Sequence, residues 1–180
     1  MASAAEHLRS TLKVIATIRA ASLRPLLDRL QDLRAGGAGA VWVIGNGGSQ
    51  ANASHLVLHL QEHGLKARDL LAETAYITAM ANDHSYAVVA SRTLRTLGAA
   101  ADTLIVITGS GDSPNVILAL VEARRLGMRT YGLLGFAGGQ ALALCDQAVL
   151  VASSDYGCIE DAHSALVHAI NAELGDLTRT

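Results

Sequence analysis

The sequence predicts an α/β protein: a doubly wound, five-stranded parallel sheet with helices on both faces, preceded by two N-terminal helices. Three observations predict it. Short apolar runs alternate five times with segments of helical periodicity, the pattern of strands buried on both faces. Two of the strand-to-helix turns are built from Gly and small polar residues. Two amphipathic segments precede any strand.

Over 4–20, Leu8, Leu12, Ile15 and Ile18 recur at helical spacing. Ser22 and Pro25 open a second helix carrying Leu26, Leu27, Leu30 and Leu33, and the glycines of 35–39 end it. Residues 40–44 (AVWVI) form the first strand, 45–49 (GNGGS) a turn, and 50–61 a helix. A weaker strand is expected over 69–72, a short helical turn over 78–81, and a longer helix over 86–97. Residues 104–108 (LIVIT) give the clearest strand. It runs into Gly109-Ser110-Gly111-Asp112-Ser113, then a helix over 114–126. Ser113 suits the cap, Pro114 the first helical position and Gly127 a left-handed stop. A strand over 129–134, a short helix over 140–145, a strand over 147–151 and a last helix over 157–175 complete the order. The whole of 1–180 is expected to form one domain.

Composition narrows the function. Hydrophobic residues make up 51% of the 180, enough for a substantial core, and aromatics only 3%, so Ala, Leu, Val and Ile must build it. A formal net charge of -2 without a basic run gives no electrostatic footprint for nucleic acid or an anionic membrane. Cys145 and Cys158 lack metal or redox spacing and are expected to be buried thiols. The N-terminus does not read as a signal peptide, and no apolar run approaches the ~20 residues of a membrane span. A cytoplasmic protein is expected.

Chemistry concentrates at two places. The turns at 45–49 and 108–113 both belong at the carboxyl edge of the sheet, where open α/β proteins bind ligands. Thr108, Ser110 and Ser113 offer hydroxyls. The glycines let backbone N–H groups turn inward, beside helix starts that favour anions. No Lys follows the glycines and no Gly-x-Gly-x-x-Gly occurs, so a phosphorylated small molecule fits better than a nucleotide. The second place holds His55, His59, Glu160 and His168. His55 and His59 are four apart on one helical face. Glu160 and His168 are eight apart, drifting by ~80° around the helix, still one broad face. His163 competes as a partner of Glu160, but stands ~140° around from His168. Three imidazoles and a carboxylate suit a borderline-soft divalent cation.

These residues resemble the sugar isomerase (SIS) domain family, and most closely its phosphoheptose (sedoheptulose 7-phosphate) isomerases. The resemblance rests on Gly45-Asn46-Gly47-Gly48-Ser49 followed by His55, on Asn82-Asp83, on Ser110-Gly111-Asp112-Ser113 with Asn115, and on His168. It covers nearly the whole chain. It implies a flavodoxin-like sheet and a homotetramer cored by a helix bundle that residues 1–35 would join, with active sites shared between subunits. It also implies zinc-dependent aldose–ketose isomerisation, with metal positions at His55, His59, Glu160 and His168. The phosphate positions would be Thr108, Gly109, Ser110 and Ser113, and the substrate contacts Asn46, Gly47, Ser49 and Asp83. The chain departs from the family pattern in four places. His59 replaces a glutamate, the family's base, and Glu160 a glutamine. Thr108-Gly109-Ser110 replaces Ser-Thr-Ser, and Gly157 an aspartate.

Isomerisation needs a base beside the carbonyl and an electrophile for the enediolate oxygen. Glu160 or His59 would serve as base and His168 as the proton donor opposite. Three functions compete: a sedoheptulose 7-phosphate isomerase, an isomerase of another phosphosugar, and a non-catalytic tetramer that binds a partner protein such as a replication initiator.

Overall fold

The computed structural model describes residues 3–175. Two helices lead, α1 (Ala4–Thr17) and α2 (Arg24–Arg34). Then follow β1 (Val41–Ile44), α3 (Gly48–Glu62), β2 (Ala67–Asp69), α4 (Thr74–Asp83), α5 (Val89–Leu97), β3 (Thr103–Thr108) and α6 (Pro114–Leu126). The chain continues through β4 (Arg129–Leu134), α7 (Gly139–Leu144), β5 (Gln147–Leu150) and α8 (Tyr156–Leu174). All five strands are parallel in the order β2-β1-β3-β4-β5. The expected doubly wound, flavodoxin-like sheet is therefore the one observed.

Strand alternation sorts the core into two layers. Val41, Val43, Ile105, Ile107, Tyr131, Leu133 and Val149 face α2, α3 and α8. Trp42, Ile44, Leu104 and Val106 face α5, α6 and α7. β1 and β3 are buried throughout, which is why they read as unbroken apolar runs. α1 packs outside on α8 and leaves Leu8 and Leu12 64% and 67% exposed. No described helix is long and apolar enough to cross a membrane.

Several boundaries differ from expectation for local reasons. β2 lies at Ala67–Asp69 rather than over 69–72, because the Asp69 side chain accepts the Leu71 N–H and turns the chain out of the sheet. α4 runs from Thr74 to Asp83, far longer than 78–81, and buries no residue, so it carries no apolar stripe to read. α1 stops at Thr17, and a 3₁₀ turn (Ala20–Leu23) leads into α2. In that turn the Ser22 hydroxyl donates back to the Arg19 carbonyl instead of capping the helix. A second 3₁₀ turn (Tyr86–Val88) precedes α5. Gly127 does take the left-handed stop, φ 78°.

Candidate active site

The first turn is held open by its own polar groups. Gln50 Oε1 accepts the Gly45 N–H while its Nε2 donates to Asp69. Asn46 and Asn115 exchange two amide hydrogen bonds of 2.9 Å, tying this turn to the start of α6. Tyr86 donates its hydroxyl to Asn46 Oδ1 at 2.7 Å, and burial pushes its phenol pKa up, which keeps that donor protonated. Tyr86 was not legible as a site residue, since nothing in spacing links a 3₁₀ turn to a glycine loop forty residues earlier. Gly47 is exposed and takes φ 54°, and Ser49 is buried in the first turn of α3. Asp83 is exposed at the end of α4, where it accepts a bond from Asn82.

The second turn follows β3. Thr108 is buried and its hydroxyl accepts the Gly111 N–H, while the Ser110 hydroxyl accepts that of Asp112. Ser113 occupies the N-cap position of α6, but its side chain makes no capping bond, contrary to the sequence expectation. Its half-buried hydroxyl is left for something else. Gly109 has a steric reason: a Cβ there would meet the Tyr156 ring at 2.7 Å. Tyr156 in turn packs edge-on against Phe136 at 4.9 Å.

α3 and α8 lie side by side on one face of the sheet, joined by His63 Nε2 to Asn171 at 2.8 Å and by Asn52 to the Glu160 carbonyl at 2.9 Å. This pairing brings three imidazoles together across more than a hundred residues of sequence. The His55 ring centroid lies 4.4 Å from that of His59 and 4.9 Å from that of His168. One ring nitrogen from each falls within 4.8 Å of the others. His59 Nδ1 bonds Glu62 at 3.1 Å, and its buried Nε2 has no partner. A carboxylate on one nitrogen leaves the other free to ligate, the usual arrangement behind a metal-bound histidine. Burial, then His59 and His168, hold the His55 pKa below its usual value, which keeps that ring neutral and able to ligate. An orphaned buried nitrogen in a three-imidazole set fits a divalent cation.

Glu160 stands outside this group of nitrogens. Its carboxylate lies against Gly48, where a Cβ would collide with it, at the N-terminal end of α3. Long helical side chains lean toward their own N-terminus, here away from His168 two turns further on. His163 is fully buried, neither ring nitrogen has a hydrogen-bond partner, and burial drives its pKa down to about 4. Glu62 was the other residue not read from sequence, although its i,i+3 relation to His59 would have found it.

The comparisons agree with this architecture. Residues 5–135 match the family model described as the SIS domain. The phosphoheptose isomerase of Helicobacter pylori (strain P12) is 34% identical over 171 residues, covering 92% of this chain and 86% of that protein. The structure of the phosphoheptose isomerase from Neisseria gonorrhoeae superposes with a TM-score of 0.85 at 30% identity, covering 94% and 93% of the two chains. That of a phosphoheptose isomerase from Francisella tularensis gives 0.83 at 28% identity, covering 93% and 91%. The chain belongs to the SIS domain family. Within it the chain sits among the phosphoheptose isomerases, and it is an enzyme.

Proposed function

We propose that this sugar-phosphate isomerase is a metal-dependent aldose–ketose isomerase that converts sedoheptulose 7-phosphate to D-glycero-D-manno-heptose 7-phosphate through an enediol. The observation that carries the reading is the convergence of ring nitrogens of His55, His59 and His168 within 4.8 Å, together with a buried His59 Nε2 that has no partner. The relatives' names point to a phosphorylated heptose.

Thr108, Gly109, Ser110 and Ser113 hold the phosphate, with the free Ser113 hydroxyl and the α6 N-terminus as its donors. Asn46, Gly47, Ser49 and Asp83 orient the sugar hydroxyls, and the Asn115–Tyr86 network fixes the Asn46 amide. His55, His59 and His168 would hold the cation, for which the donor set suits zinc. When bound, it supplies Lewis-acid polarisation of the carbonyl oxygen. His59 has one nitrogen on Glu62 and is taken up as a ligand, whereas Glu160, which the resemblance also names as a metal position, stands at Gly48 outside the imidazoles, so the base role falls to Glu160. Glu160 takes the proton from the carbon beside the carbonyl, and the exposed His168 returns one from the opposite side. The exposed Leu8 and Leu12 of α1 favour the homotetramer, in which the two leading helices join a bundle and neighbouring subunits complete each site. The proposed location is the cytoplasm.

One observation favours a second substrate, another phosphosugar. The acidic group stands at Gly48 rather than among the imidazoles, so it would address a different carbon. Metal analysis of purified protein, followed by NMR of mixtures with sedoheptulose 7-phosphate, tests the reading. About one zinc per chain with heptose 7-phosphate formed is expected. Bound metal without turnover would favour the other phosphosugar. Metal-free, inert protein would overturn the enzyme reading and leave the partner-binding tetramer.

A further inference from the structure

A second group of metal-type ligands lies where α1 meets the start of α8. A ring nitrogen of His7, a carboxylate oxygen of Asp155 and Sγ of Cys158 lie within 4.8 Å of one another. The geometry points to a thiophilic divalent-cation site at this junction, taking zinc or a similar ion.

The donor chemistry fits. A thiolate, a carboxylate and a neutral imidazole carry two negative charges, which match a divalent ion. Zinc bond lengths of ~2.0–2.3 Å put tetrahedral ligand atoms about 3.3–3.8 Å apart, so the group needs to contract by about 1 Å. Water completes the fourth position. The hydrogen bonds that would hold the ligands in place are already made. His7 Nε2 bonds Asp161 Oδ2 at 3.1 Å, a carboxylate behind a histidine. The Thr11 hydroxyl, one helical turn from His7, lies 3.2 Å from the same oxygen and 3.6 Å from Cys158 Sγ.

Two further observations separate this from an ordinary buried thiol. Cys158 is 2% exposed, yet it belongs to neither apolar core cluster and faces polar groups instead. Gly157 leaves room between the ligands: a Cβ there would lie 2.9 Å from His7 Cε1 and 3.2 Å from Asp155 Oδ1. Asp155 and Asp161 are exposed, which gives the ion a path in from solvent. Its consequence is mechanical. The ion would cross-link residues about 150 apart and fix α1, with its exposed Leu8 and Leu12, against the helix that carries Glu160 and His168.

Sulfur makes the test independent of the active site, because the three-histidine cluster contains none. Full-length protein stripped with chelator is titrated with cobalt(II), the probe ion. A near-ultraviolet sulfur-to-cobalt charge-transfer band is expected, saturating at about one ion per chain. It should disappear in Cys158→Ser and survive in His55→Ala/His168→Ala. His7→Ala should weaken cobalt binding at this band by about tenfold or more. Absence of the band in the unmodified protein overturns the proposal. So does a band that survives Cys158→Ser, which would report Cys145. Should Cys158→Ser fail to fold, the surface variants His7→Ala and Asp155→Asn decide, and unchanged cobalt affinity in both sinks the site.

Discussion

The two faces of the sheet treat buried polar groups in opposite ways. On the α5–α6 face, Glu122 is 4% exposed and fully engaged: Arg125 and Arg95 both bond its carboxylate and hold its pKa down at about 2. On the α3–α8 face, His59 Nε2, His63 Nδ1 and both nitrogens of His163 are buried without partners. A satisfied buried charge serves the fold, whereas an unsatisfied one costs about 1–3 kcal/mol and calls for a ligand or another explanation. Of the histidines that carry these four nitrogens, only His59 belongs to the three-imidazole group. The comparison therefore separates a structural network, a ligand-ready cluster and an unpartnered core histidine within one chain.

The largest expected effect breaks the ligand-ready cluster. His168→Ala should lower turnover by about 10³-fold or more and reduce bound metal to background, while the metal-free protein melts at an unchanged temperature. Elemental analysis, steady-state rates and thermal melts check the three parts. A variant that keeps both metal and rate would place the chemistry elsewhere. Glu160→Gln should lose about 10²-fold or more in turnover with an unchanged mass in solution, as read by rates and light scattering. Full activity would remove Glu160 from the base role.

The contrast between the faces was only half legible in the sequence. Unbroken apolar runs at β1 and β3 gave the sheet, and Pro114 and Gly127 gave α6 to the residue. The His55–His59 pair was visible because helical spacing is local. That His168 joins it depends on α8 lying beside α3, a long-range fact no spacing encodes. The same blindness applies to Glu160: eight residues from His168 reads as one face, but the leaning of its side chain takes it to Gly48. α4 escaped for a different reason, since a helix with no buried residue has no apolar period.

The unpartnered core histidine gives the next effect. His163 is neutral in the fold with a pKa of about 4, against about 6.5 when unfolded. Below pH 6.5 the unfolded chain binds the extra proton, so stability falls as pH drops from 6.5 to 4. The full span amounts to about 3 kcal/mol. His163→Leu should flatten this acid limb in urea melts at pH 7 and pH 5. An identical limb in the variant would mean another group controls it. On the opposite face, Glu122→Gln should cost roughly 2 kcal/mol at pH 7, less than the full shift because its arginines are about 60% exposed and screened. The wild-type contribution is complete above pH 4.5 and is lost as pH falls toward 2, the reverse origin of a similar acid sensitivity. Turnover at neutral pH should not change.

The smallest effect falls on a hydroxyl that belongs to neither class. Ser113 occupies a helix cap yet bonds nothing there, so removing it should not incur the ~1 kcal/mol loss of an ordinary capping serine. If that hydroxyl is instead a phosphate donor, Ser113→Ala should raise KM about tenfold, roughly 1.4 kcal/mol, while the thermal midpoint holds within a degree. The two outcomes are opposite in kind. A lower melting temperature with unchanged KM would make Ser113 a cap after all and move the phosphate away from the α6 turn. A higher KM alone would extend the lesson of His59 to a neutral side chain: the polar atom left without a partner by the fold is the one the substrate meets.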